Sequence, residues 1–484
     1  MKLTHFIPLI FALISLRAPS AHALEHCNSD YPAQAEAKAK ATRGIISIPW
    51  VEWLPAIMPF DRNTALPVTI TARILGGPSS ARLSLSNAGG SINLFDNGVP
   101  PDFTAGDGIF SANVPVQTVL DRNTPDRVHR PFMGSVQAVE GAVSSGPSIN
   151  AFLPVMPFEA RSIPVTTLAS TARITPWLLN IRDDAFTTDF SIERVVTTAL
   201  TRVPDAYDFV HVVYGPQNFV QNRFHGRIRS NIQGIGLPII NTSANYGNSA
   251  KLMGFTAFPS LSFYDMQGPG VLHETGHQWI NGLPGIFADT GAHWPIASMT
   301  NNVMGWSLPG GAGGTLSCSL SSNGTTLTAS AQPSQIFSFN NFELYLMGLV
   351  PTIANGFVVN DQPAIRNAIT NNPNWCTGGN YALATTAFNQ STLVAAVGAR
   401  APSSANAPKY FRVLTLVASS GRTLGDDELR YISFMTARAQ QPGMRLWAEG
   451  RAGGTGGTFF DATGERARMD FRIDGVFANG FEGN

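Results

Sequence analysis

Charge is scarce in this chain. Asp, Glu, Lys and Arg make up 13 % of its 484 residues, and 32 basic residues balance 32 acidic ones. No basic excess is present to select nucleic acid, and no charge run marks a membrane-surface segment. Apolar runs are short: none reaches 18 residues, which excludes a helix that crosses a bilayer. Cysteine is limited to Cys27, Cys318 and Cys376, enough for one disulfide with one thiol left over.

What the chain does have is a 44 % hydrophobic content, enough for a sizeable core, and a length that suits two or three domains. Low charge combined with abundant Gly, Ser, Thr and Asn is expected of an exported β-rich protein. The first residues agree. Lys2 precedes an apolar run from Phe6 to Leu16, and Ala21-His22-Ala23 has the small-x-small form of a cleavage site. This reads as a signal peptide over 1–23, cut after Ala23. Cys27 lacks the small residues that would precede a lipid-anchor site.

After a lead-in over 24–65, residues 66–157 alternate with period two. Val68 to Leu75, Arg82 to Ser86, Ser135 to Val139 and Ser148 to Leu153 read as strands, and Gly76-Gly77-Pro78 reads as a turn. Short strands separated by turn signals predict a β-sandwich of immunoglobulin type. Between them, Asp96, Asp102 and Asp107 stand among glycines. Their oxygens are candidate calcium ligands. The other reading is that Asp and Asn simply build turns there, since the spacing is not that of an EF-hand loop.

From Asn180 the pattern is mixed α and β. Helices are predicted at Ser191 to Thr201, Phe339 to Leu349 and Asp426 to Arg438. A buried strand is predicted from Asp208 to Tyr214, ending at Gly215. Strand character recurs at Gly236 to Ile240 and at Met469 to Ile473, and Leu308 to Pro333 reads as a hairpin or irregular excursion.

Within this region lies His273-Glu274-Thr275-Gly276-His277. Two histidines four apart lie on one face of a helix and can share a metal ion. Neutral imidazoles suit zinc, and Glu274 is placed to take a proton from a water on the metal. With 9 His and 12 Glu in the chain, chance would produce one such pattern in about 0.4 % of cases, so the motif is specific. Pro269 and Gly270 open the segment, Gly282 and Pro284 close it, and Leu272, Trp279 and Ile280 can pack behind it.

The chain resembles a secreted bacterial zincin metallopeptidase that carries an N-terminal immunoglobulin-like domain. The resemblance rests on His273 to Trp279, Gly291-Ala292-His293-Trp294, Glu343 to Leu349 and Tyr246 to Gly254, and so covers about 200–350. It implies an α+β fold class: an N-terminal β-sandwich followed by a zincin-like catalytic domain over 158–450, with a Gly-rich break and tail over 451–484. It also implies a zinc endopeptidase that acts on protein or peptide outside the cell, at the cell surface or in the periplasm of a Gram-negative bacterium. The end, Asp474 to Glu482, is similar to short tails of exported Gram-negative proteins. In metzincins a Gly and a third His follow the motif; here Ile280 and Leu283 occupy those places, and the thermolysin-type Asn-Glu-x-x-x-Asp string is absent.

The third metal ligand is therefore open. In zincins it lies downstream of the helix, and His293 is the only histidine after His277. Its rivals are Glu343 and Asp289; if His293 is the ligand, Glu343 is expected to hold an imidazole by its other nitrogen. Cys318 and Cys376 fall in the same half and are paired on that ground. Two other function classes stay in view: a non-enzymatic surface-binding protein built from β modules, and a zinc hydrolase acting on a non-peptide bond.

Overall fold

The computed structural model describes residues 46–473, less 59–66, 86–89, 116–131, 141–142, 155, 187–189, 216–217, 220–222, 260–269, 290, 308–312, 315–317, 332–337, 373 and 442–457. The signal-peptide segment, Cys27 and the tail from Asp474 lie outside those residues. Within them the chain is mixed α and β, with several sheets.

Seven strands come first: β1 Ser47–Leu54, β2 Val68–Leu75, β3 Ser80–Leu85, β4 Ser91–Leu94, β5 Ile109–Val114, β6 Phe132–Glu140 and β7 Val143–Leu153. They form two antiparallel sheets. One has the order β4-β3-β6-β7. The other is β1-β2-β5, extended at β1 by the two-residue strand β12, Asn218–Phe219. Period two explains the packing. Along β2, Val68, Ile70, Ala72 and Ile74 are buried while the residues between them are half-buried. Inward side chains of both sheets, among them Val51, Ile70, Leu83 and Val136, form one core. Each such aliphatic side chain contributes roughly 1.5–3 kcal/mol by leaving water. β1 lies in the stretch read as a lead-in, so the two-sheet unit begins well before residue 66.

The second unit is built on an eight-stranded sheet. Its further strands are β8 Thr166–Ala169, β9 Ala172–Ile174, β10 Leu179–Arg182, β11 Phe209–Gly215, β13 Phe224–Arg227, β14 Gly254–Pro259, β15 Tyr410–Ser419 and β16 Arg468–Asp470. Their order is β13-β14-β11-β15-β10-β9-β8, and β16 pairs with β15. The middle strands β14, β11, β15 and β10 run parallel, and β13 is antiparallel at one edge. Parallel strands covered on both faces read as near-continuous apolar runs, and every residue of β11 is buried, His211 included. Val210, Val212 and Tyr214 pack against helix α1, Ile192–Leu200. Val213, on the opposite face, packs with Leu429 and Ile432 of the helix Asp426–Arg438. Phe209 packs with Leu272 and Trp279 of the histidine motif.

Two sequence boundaries move. Residues 236–239 are not a strand: Gly234 and Gly236 have φ of 70° and 73°, which breaks the extension, and only Ile240–Asn241 pairs, with Arg229–Ser230. The unit also continues past 450, because Phe459, Ala462, Met469 and Phe471 lie in the same core as Trp279. Cys318 and Cys376 are joined, with Cα atoms 5.3 Å apart, and staple the hairpin Cys318–Ser322/Leu327–Ala331 to a later loop.

Candidate metal centre

The motif sits on helix α2, Gly270–Gly276, directly after the strand β14 and the stretch 260–269. The helix is shorter than the motif. After Gly276 the chain tightens, with His277 N–H donating to Glu274 O at 3.1 Å and Gln278 N–H to Thr275 O at 3.1 Å. His277 thus lies in a three-residue turn that continues the helix. Its own Nδ1–H donates to Ile280 O at 2.9 Å and closes that turn.

A glycine at 276 is required by what lies beneath. A Cβ there would come within 2.6 Å of Met304 Sδ and 3.2 Å of the Phe339 ring. The segment carrying Met304 also sets the first histidine, since His273 Nδ1–H donates to Val303 O at 2.8 Å. A carbonyl only accepts, so Nδ1 of His273 and of His277 each carries the proton, and each Nε2 keeps its lone pair. Burial, then the neighbouring imidazoles, hold His273 well below the usual histidine range, so it is neutral.

The third imidazole is His293. Its Nε2 is 2.8 Å from Nε2 of His273, and its ring centroid is 5.3 Å from that of His277. One nitrogen from each of the three residues falls within 4.8 Å of the others, so the group can hold a metal ion. Nitrogens about 2.0–2.1 Å from a tetrahedral ion stand roughly 3.3 Å apart, so a bound ion requires only a small spreading of His273 and His293. Three neutral nitrogen donors are the set that first-row divalent ions prefer, and not the oxygen cage of calcium or magnesium.

Glu274, one residue on from His273, is 2 % exposed. Its Oε1 accepts from Arg223 Nε at 3.1 Å, and Arg223 directly precedes the edge strand β13. The rival ligands lie elsewhere. Asp289 is ion-paired with Arg366. Glu343, on helix α3, Asn341–Met347, is fully buried. Its Oε1 accepts from Trp294 Nε1 at 2.9 Å and its Oε2 from Asn340 N–H at 3.0 Å. Burial lifts its carboxyl to about 8, against the pull of the indole and the backbone N–H. Glu343 therefore grips an indole, where an imidazole was expected.

Behind α2 runs a polar seam that periodicity did not reveal. His211, His225 and Thr256 occupy one row across β11, β13 and β14. His225 joins Thr256 Oγ1 and Gln278 Oε1, each at 2.9 Å, and Thr256 Oγ1 is 3.4 Å from Thr275 Oγ1. Thr275 and Gln278 belong to the motif's back face, so the seam fixes its rotation against the sheet.

Asp96, Asp102 and Asp107 also converge to within 4.8 Å. Their oxygens accept backbone N–H groups. Asp96 takes those of Gly106 and Gly108 at 2.6 and 2.8 Å, Asp102 that of Asn97 at 2.6 Å, and Asp107 that of Ile109 at 2.8 Å. This is the turn-building use of aspartate. Gly98, Gly106 and Gly108, all at positive φ, complete the loop.

No protein-family model and no curated protein matches the chain.

Proposed function

We propose that the protein is a secreted zinc-dependent endopeptidase of zincin type, with the N-terminal two-sheet unit acting as a β-sandwich of immunoglobulin type. The observation that carries this reading is the convergence of His273, His277 and His293 beside the buried carboxylate of Glu274. His273, His277 and His293 would hold the ion. Zinc in such a donor set supplies Lewis acidity, polarising a carbonyl and making water a nucleophile near neutral pH.

The protein's own groups do the rest. Val303 O and Ile280 O fix the tautomers of His273 and His277. Arg223 holds one oxygen of Glu274. Glu274 accepts the proton of the attacking water and passes it to the leaving amine. β13 is the antiparallel edge strand, and an extended peptide adding to a sheet edge needs only backbone hydrogen bonds.

The test is metal content and proteolysis measured together. Purified protein should carry about one zinc per chain and should hydrolyse casein or gelatin until a chelator is added. A metal-free preparation with full proteolytic activity would overturn the reading. Zinc without proteolysis would move it to a non-peptide substrate.

A further inference from the structure

His293 has no helix to orient it. It lies at a bend of a loop, one residue before Trp294, which bridges to Trp306 and whose O accepts from Ser307 N–H at 3.1 Å. The side chain that follows it is held much more firmly. The Trp294 indole is fully buried, stands edge-on to Phe342 with centroids 5.2 Å apart, and donates to Glu343 Oε1 at 2.9 Å. Glu343 cannot swing away, because its other oxygen closes the capping box of α3 with Asn340, and Asn340 Nδ2 donates to Met299 O at 2.7 Å. The carboxylate is thus tied to a helix end on one side and to the indole on the other. With the indole, the Trp294 bridge and Trp294 O all held, the backbone from which His293 leaves is held one residue away.

We propose that Glu343 and Trp294 form a clamp that positions His293 as the third metal ligand. Glu343 acts through Trp294 and does not touch the metal. The inference rests on the proposed metal centre. Groups that orient a ligand from behind typically carry 10–100-fold in metal affinity, and the same range is expected here.

The experiment compares wild type with Trp294→Phe, Glu343→Gln and Glu343→Ala. It reads zinc affinity by chelator competition and the visible spectrum of the cobalt-substituted protein, at a temperature well below the melting point of each metal-free form. Trp294→Phe removes the indole N–H and keeps an aromatic ring, though a smaller one, so Glu343→Gln, which leaves the packing of the indole intact, is read beside it. Trp294→Phe should weaken zinc by about 10–100-fold and alter the cobalt bands. Glu343→Gln, whose carbonyl still accepts the indole N–H, should lose less than Glu343→Ala. Zinc affinity within twofold of wild type for both Trp294→Phe and Glu343→Gln would overturn the clamp and leave the metal centre standing. Loss of metal by Glu343→Ala with full affinity in Trp294→Phe would also overturn it, since Glu343 would then be a ligand. A wild-type protein that binds no zinc would overturn both readings.

Discussion

Thr275 Oγ1 lies 3.2 Å from His211 Nε2, across the boundary between the site helix and the central strand of the sheet. The contact is fully buried on both sides. It ends a line of polar groups running through Thr256 and His225 to Gln278. An apolar interface would allow α2 to roll, whereas this line has one rotation in which its partners meet.

Thr256→Val should therefore be costly although valine matches threonine in shape. It strips His225 and Thr275 of a buried partner, for about 1–3 kcal/mol. Urea unfolding would show the loss as a lower midpoint at unchanged slope. A midpoint equal to wild type would mean that the seam contributes nothing.

The same histidines set a pH dependence. Burial holds His211 and His225 each down to about 3, while in the unfolded chain they titrate near 6.5. Between those values the unfolded chain binds more protons, so this contribution is complete above about pH 6.5 and is lost as pH falls toward 3. Each histidine has a limiting slope of about 1.4 kcal/mol per pH unit. Glu343, raised from 4.5 to about 8, acts in the opposite sense and costs stability as pH rises through that range. Two imidazoles outweigh one carboxyl, so stability should fall from pH 6.5 to 4.5 and more steeply below. Urea midpoints across that range would show it, with a shallower slope for His225→Gln. A wild-type curve flat from pH 7 to 5 would contradict it.

Glu274→Gln should retain zinc, because Glu274 is not among the three converging histidines, and should lose about 10²–10⁴-fold in kcat. Activity within tenfold of wild type would assign the base to another group.

Gly276→Ala should disturb the site from below. Its Cβ would meet Met304 Sδ at 2.6 Å, and Met304 is fully buried. Overpacking of this kind costs about 1–3 kcal/mol. The strain falls on the segment whose Val303 carbonyl holds His273, so zinc affinity should fall as well. Met304→Ala in the same chain should relieve the clash, and a double variant no better than Gly276→Ala alone would place the strain elsewhere.

Local signals made much of this legible in the sequence. The period-two runs at Val68 to Leu75 and Arg82 to Ser86 fall on the strands Val68–Leu75 and Ser80–Leu85, and Ser191, Asn340 and Gly425 stand at the helix starts that the pattern predicts. His293, the only histidine downstream of His277 and one of three candidates with Glu343 and Asp289, is the one that converges with His273 and His277. What sequence did not show was long-range pairing. Nothing near Arg223 announces Glu274, fifty-one residues away, and nothing near Glu343 announces the Trp294 indole. His211 and Thr256 meet only because parallel strands bring them into register. The strand Ser47–Leu54 carries no strict period-two signal for a related reason: its burial does not alternate regularly, and a register shift lies between Ser47 and Trp50.

The pairing of β1 with Asn218–Phe219 carries a consequence for how the molecule can be divided. Trp50 is in register with Phe219, and Val51 with Asn218, so the first sheet takes its last strand from the second unit. Four positions beyond Phe219 comes Arg223, which grips Glu274. A fragment cut at the apparent junction would leave the first sheet with a raw edge along β1. The two units thus share a sheet across their junction, and they should come apart together in a single calorimetric transition.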